Sequence, residues 1–218
     1  MRSRKELLNG ARLYVVLDRQ VNSYERLFEI AKEAIACGVD VIQLRDKKGS
    51  AKEILTFSER VLKLGSDQTL YMINDRVDLT TISGASGVHL GQDDIPVSVA
   101  RTMLDAQAVI GVSCQTYVQA QRAVEDGADY IGFGSVFKTL TKPDRQAMDL
   151  KVLEKVVADM KIPVFAIGGI DLGNVEMLQG IGVCCFAVCR AVCEADDVLL
   201  AVKQFQALCG DQKLKNNR

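Results

Sequence analysis

Short apolar runs rich in β-branched residues return at nearly even intervals along this sequence, and segments of helical spacing lie between them. The runs are 12–17 (RLYVVL), 39–44 (VDVIQL), 69–73 (TLYMI), 87–90 (GVHL), 108–112 (AVIGV), 129–133 (DYIGF), 163–167 (PVFAI) and 183–188 (VCCFAV). Gly, Pro, Asn or Asp bound them, which predicts buried parallel strands. Segments 24–36, 51–64, 97–104, 116–126, 150–160 and 195–208 place apolar residues three and four apart among charges, which predicts amphipathic helices. Strand and helix thus trade places about eight times in 218 residues, the pattern of a compact α/β fold of the (β/α)8 (TIM) barrel type. A doubly wound open sheet, the alternative, would use fewer strands for this length.

A chain of this length with 48% hydrophobic residues can bury one sizeable core and is short for two, and no Pro/Ser-rich linker divides it. The expected division is an N-terminal extension at 1–10, a barrel at 11–210 and a polar tail at 211–218 that includes KLKNNR, both ends being mobile. A formal net charge of -1 gives no global field favouring nucleic acid or an anionic membrane, so any anion must be caught locally. No apolar run has the length of a signal peptide or of the ~20-residue membrane span, and the expectation is a soluble cytoplasmic protein. Seven cysteines, an odd number clustered near apolar segments, read as reduced and mostly buried thiols rather than a disulfide frame or a metal site. The single histidine, His89, lies within a predicted strand and reads as a core or supporting group rather than a catalytic one.

In a barrel of this type the active site gathers at the carboxyl ends of the strands. The second strand ends in Gln43-Leu44-Arg45-Asp46-Lys47, where alternation sends Gln43, Arg45 and Lys47 to one side. The third ends in Asn74-Asp75, and the fourth runs on to Asp93-Asp94. The fifth ends in Ser113, the sixth leads into a segment with Thr139, Thr141 and Lys142, the seventh into Gly168-Gly169, and the eighth into Cys189-Arg190. Such a set offers anion donors and hard oxygen ligands but no nucleophile-base pair. Asp75 and Asp94 suit Mg²⁺, Asp93 being assigned instead to capping the helix after Pro96. Arg45, Lys47 and Lys142 suit phosphate oxygens, Thr139 and Thr141 add hydroxyl donors, and the Gly168-Gly169 turn lets backbone N–H groups approach a second phosphate. Two anion sites on one face imply two phosphorylated ligands.

The stretches QLRDK at 43–47, NDR at 74–76, GVHLGQDD at 87–94, GVS at 111–113, GSVFKTLTK at 134–142 and AIGGI at 166–170, taken in order, resemble the thiamin phosphate synthase family over roughly residues 11 to 200. The resemblance implies a Mg²⁺-dependent transferase that joins an aminopyrimidine diphosphate to a thiazole phosphate and releases pyrophosphate. It implies that Gln43, Arg45, Lys47, Asn74, Ser113 and Lys142 contact the diphosphate and that Asp75 and Asp94 bind the metal. Thr139, Thr141, Gly169, Cys189 and Arg190 would hold the thiazole phosphate. In such enzymes pyrophosphate departs from the pyrimidine methylene to leave a stabilised carbocation, which the thiazole nitrogen attacks, so position and charge do the work; Arg45, Lys47 and Lys142 are the groups that offset charge on the leaving group.

The chain departs from the family twice. GSVFKTLTK lacks prolines usual near Ser135 and Lys138, which suggests a more mobile or reshaped loop. Arg190 stands where some members carry a small hydroxyl residue, and either a phosphate or a carboxylate such as Asp171 can be its partner. Two other readings remain at this stage: a thiazole tautomerase of the same barrel family, disfavoured by Asp75, Asp94 and the TLTK segment, and a regulator that binds thiamin phosphate without turnover. Oligomeric state is not legible in the sequence.

Overall fold

The computed structural model describes residues 2–138 and 147–210. Eight strands, β1 (Leu13–Asp18), β2 (Val41–Arg45), β3 (Leu70–Asn74), β4 (Gly87–Leu90), β5 (Val109–Cys114), β6 (Tyr130–Phe133), β7 (Val164–Ile167) and β8 (Cys185–Val188), close into a parallel barrel in sequence order, β8 pairing back onto β1. Helices α2 (Tyr24–Ala36), α3 (Ala51–Leu62), α4 (Val77–Ser83), α5 (Val97–Met103), α6 (Tyr117–Glu125), α7 (Leu150–Asp159) and α8 (Val175–Gly180) follow β1 to β7 in turn, and α9 (Arg190–Cys193) and α10 (Val198–Gly210) follow β8. The fold is a single-domain (β/α)8 barrel.

Local chemistry explains where several helices start. Ser50 with Glu53 and Thr116 with Gln119 form capping boxes at α3 and α6, and Ser23 caps α2, so orphan N–H groups find oxygen partners next to the loops at the mouth. Alternation along the strands splits the core in two. Leu13, Val15, Leu17, Ile42 and Leu44 join helix residues such as Leu27, Ile30 and Phe57 in an outer layer. Tyr14, Val16, Val41, Met72, Val109, Tyr130 and Phe165 form a smaller cluster that contains no residue of α2 to α10, and it fills the barrel itself.

The N-terminal segment departs from its expected mobility. Arg4–Gly10 forms helix α1, started by a Ser3–Glu6 capping box, and its Leu8 is buried in the inner cluster beside Tyr14 and Val41. Helix α1, with 7 residues, and α4 and α8, with 7 and 6, are not among the segments read as helical from sequence, being short enough to show little period. Asp93 does not cap α5; Pro96 occupies the N-cap position and no side chain bonds there. Among the described residues no helix is long and apolar enough to cross a membrane. All seven cysteines are free thiols, four of them buried.

Candidate active site

A cavity of about 430 Å³ opens at the carboxyl ends of the strands. Gln43 and Arg45 of β2, Asn74 of β3, His89 of β4 and Ser113 of β5 line one side. Lys138, the Gly168-Gly169 turn, Ile170, Cys189 and Arg190 line the other.

On the first side the charges are already paired. Register places Asp18 of β1 beside Arg45, and the guanidinium donates to the Asp18 carboxylate at 2.7 Å, Asp18 being fully buried. One nitrogen of the fork is thereby fixed while the side chain still borders the cavity. The loop that follows is shaped by Asp46, whose carboxylate accepts N–H bonds from Lys48 at 2.8 Å and Gly49 at 2.7 Å and the Tyr24 hydroxyl at 2.6 Å. Lys47 reaches across to Asp75 at 2.8 Å.

Asp75 directly follows Asn74 and takes a left-handed backbone, φ 63°, a conformation Asp tolerates better than most residues. That turn brings its carboxylate against Asp94, which accepts the Gly91 N–H at 2.6 Å. Burial pushes the Asp94 carboxyl above its ordinary range, and the neighbouring Asp75 adds to the rise, while the Gly91 N–H and Lys47 oppose it. Two adjacent carboxylates fit a hard divalent cation that completes its shell with water and phosphate oxygens. Among the described residues no group of three or more His, Cys, Asp or Glu forms a closed metal cage, so a metal here would have to share itself with a ligand.

Three of the lining residues also carry buried polar atoms that find no partner among the described residues. Gln43 Nε2, Asn74 Nδ2 and Arg190 Nε are buried and make no hydrogen bond. Stranded donors of this kind cost roughly 1–3 kcal/mol each until an acceptor arrives. With the amides of Gln43 and Asn74 and the cations of Arg45, Lys138 and Arg190 along its lining, the cavity has the chemistry to take an anion.

Backbone forms much of the second side. Val136 and Phe137 N–H groups donate to Ile167 and Gly168 carbonyls at 3.0 and 2.9 Å, which lays segment 134–138 over the end of β7. Gly168 and Gly169 have φ of 105° and 67°, and a Cβ on Gly169 would lie 2.5 Å from the Lys138 carbonyl oxygen. Glycine is required there by conformation and by close approach together.

Of the residues singled out from sequence, Gln43, Arg45, Asn74, Ser113, Gly169, Cys189 and Arg190 border this cavity. Lys47, Asp75 and Asp94 form a charged cluster next to Asn74 rather than part of its lining. Thr139, Thr141 and Lys142 lie outside the described residues. Arg190 pairs with Glu194 one helical turn on, not with Asp171. The strand-end inventory missed Asp18, though the same rule applied to β1 points to it, and it passed over Lys138, which lies beyond β6. Tyr14 and Tyr130 gave no signal beyond looking like core.

Fold and mouth together define a (β/α)8 barrel whose strand ends carry a polar, cation-lined cavity next to a pair of carboxylates. The sequence profile described as thiamine monophosphate synthase matches residues 13–192. The thiamine-phosphate synthase of Fusobacterium nucleatum is 37% identical over 193 residues, 88% of this chain and 91% of that protein. That of Ruminiclostridium cellulolyticum is 37% identical over 187 residues, 85% and 89% of the two chains. Among solved structures, a thiamine phosphate pyrophosphorylase from Pyrococcus furiosus superposes with a TM-score of 0.85 at 34% identity, covering 94% of this chain and 98% of that one. A 3-hexulose-6-phosphate synthase, at 19% identity and a TM-score of 0.70, shares the fold alone. The chain belongs to the thiamine monophosphate synthase family.

Proposed function

We propose that this chain joins 4-amino-2-methyl-5-hydroxymethylpyrimidine diphosphate to 4-methyl-5-(2-hydroxyethyl)thiazole phosphate, forming thiamin phosphate and pyrophosphate in the cytoplasm. The observation that carries the reading is the set of polar and cationic residues that line one cavity, Gln43, Asn74 and Arg190 beside Arg45, the first three each keeping a buried donor that finds no partner among the described residues. About 430 Å³ lies within the usual range for small-molecule sites, ~300–1,000 Å³.

In the reaction the methylene C–O bond to the diphosphate breaks, its electron pair leaving with pyrophosphate, and the thiazole nitrogen then supplies the pair for the new C–N bond. Gln43, Arg45, Lys47, Asn74, Ser113 and Lys142 would bind the diphosphate. Arg45, held by Asp18, would present a fixed cation to the oxygens that gain charge. Asp75 and Asp94 would hold Mg²⁺, which when bound neutralises part of the diphosphate charge. Thr139, Thr141, Gly169, Cys189 and Arg190 would hold the thiazole phosphate. On that view Lys47 and Asp75 exchange their mutual ion pair for contacts with substrate and cation.

Pyrophosphate release is the test. Purified protein given both substrates and Mg²⁺ is expected to release pyrophosphate and form thiamin phosphate in equal amounts, and neither in a chelator. Release of no pyrophosphate with isomerisation of the thiazole phosphate would make it a tautomerase. Binding of thiamin phosphate without its formation would make it a regulator.

A further inference from the structure

A row of four side chains runs up the inside of the barrel from its lower core to the mouth. Tyr14 Oη lies 2.9 Å from Tyr130 Oη, which lies 2.9 Å from His89 Nδ1. His89 Nε2 lies 2.8 Å from Ser113 Oγ, and Ser113 borders the cavity. Register explains the row. His89 is opposite Gly111 and Gly111 opposite Tyr130, and a Cβ on Gly111 would sit 2.0 Å from the Tyr130 ring. The absent side chain lets the phenol pass over β5 to the imidazole.

A neutral imidazole donates from one nitrogen and accepts at the other, so the row has a direction. In the downward order Ser113 donates to Nε2, Nδ1–H to Tyr130, and Tyr130 to Tyr14. The Tyr14 proton is then stranded, because Tyr14 is 2% exposed and among the described residues its hydroxyl meets only Tyr130. A buried donor without an acceptor costs roughly 1–3 kcal/mol. In the upward order Tyr14 donates to Tyr130, Tyr130 to Nδ1, and Nε2–H to Ser113 Oγ. No proton is stranded, and the Ser113 hydroxyl hydrogen turns toward the cavity. Burial raises both phenols far above their ordinary range, so each keeps the proton this order needs.

We propose that Tyr14 and Tyr130 are positioning residues that set this row upward, holding His89 as the Nε2–H tautomer and leaving Ser113 as a hydroxyl donor to an anion in the mouth. The donation to an anion rests on the diphosphate reading above; the direction of the row does not.

His89 is the only histidine, so a long-range ¹H–¹⁵N spectrum of the labelled protein reports its tautomer without assignment. At about pH 8, above the ordinary histidine value of about 6.5, the expected result is a proton on Nε2 and a bare, hydrogen-bonded Nδ1. A proton on Nδ1 overturns the proposal, and the measurement needs no variant. Affinity for inorganic pyrophosphate with Mg²⁺ tests the donation. Ser113→Ala is expected to weaken it about tenfold or more, as loss of a hydrogen bond to a charged group does. Tyr130→Phe should mix the two tautomers and weaken binding ~3- to 10-fold in the native background but not in Ser113→Ala, the coupling expected of residues in one network. Equal loss in both backgrounds overturns the role of Tyr130. Unchanged affinity in Ser113→Ala overturns the donation whatever the spectrum shows, and pyrophosphate release from the two substrates judges the synthase reading separately.

Discussion

The two halves of the barrel mouth solve one problem by different means. On the β1–β5 half, charged groups are held by one another: Arg45 by Asp18, Lys47 by Asp75, and Asp46 by Tyr24 and two backbone N–H groups. On the β6–β8 half the glycines at 168 and 169 accept a neighbouring segment at close range, and Arg190 keeps one buried nitrogen unpartnered. Paired charges can be held rigid before a ligand arrives, at the cost of desolvating them; a backbone cradle requires no buried charge but tolerates almost no added atoms. The first half should therefore fail through loss of charge and the second through loss of fit.

Arg45→Ala should produce the largest effect. Turnover is expected to fall ~10²-fold or more, as when one preorganised donor is removed. Asp18 would also be left buried and unpaired, which typically costs about 3–5 kcal/mol and is read as a lower denaturation midpoint. An Asp18→Ala, Arg45→Ala double variant should regain stability without regaining turnover. Recovery of both would show that Arg45 serves the fold alone.

Gly169→Ala tests the other half. Its φ of 67° and the 2.5 Å approach of the Lys138 carbonyl leave no room for a methyl group. A stability loss of about 1–3 kcal/mol is expected, with a higher KM for the thiazole phosphate and little change in KM for the pyrimidine diphosphate. Equal changes in both constants would mean the halves are not separate binding regions.

Tyr24→Phe should be milder. Losing the 2.6 Å bond to Asp46 loosens the loop that carries Lys47, so KM for the pyrimidine diphosphate should rise several-fold with a stability loss of about 1 kcal/mol. A change confined to the thiazole phosphate would break the comparison.

The smallest effect concerns Asp94. Its folded pKa is raised above the ordinary 3.8, first by burial, so the folded state holds its proton more tightly than the unfolded chain. Stability from this group is present at pH below the ordinary value and is lost as pH rises through the folded value. In a chelator, Asp94→Asn should therefore match the wild type in strong acid, melt slightly higher at neutral pH, and lose that advantage when Mg²⁺ is added. A variant that melts lower at neutral pH in the chelator would show that the two carboxylates do not burden each other.

Legibility differed between the halves for a physical reason. Gln43, Arg45 and Asn74 could be placed because strand alternation and the strand-end rule are local, and both predict which residues face the mouth. The glycine pair was visible as a turn, but its contact with Lys138 was not, because that approach depends on where the β6 loop folds back. Asp93 failed as a cap because Asp94 and Gly91 close the preceding turn and Pro96 starts the helix. Arg190 met Glu194 at helical spacing, a pairing that required knowing α9 exists.

Residue order alone determined the eightfold alternation, the barrel it predicts and the strand ends that would carry chemistry, because periodicity and turn residues act over a few neighbours. The tertiary structure decided which partners meet: Asp18 with Arg45, Lys47 with Asp75, and the Tyr14–Tyr130–His89–Ser113 row. Those partners stand far apart in the chain, and barrel closure with its strand register brings them within hydrogen-bond distance, a condition no local pattern encodes.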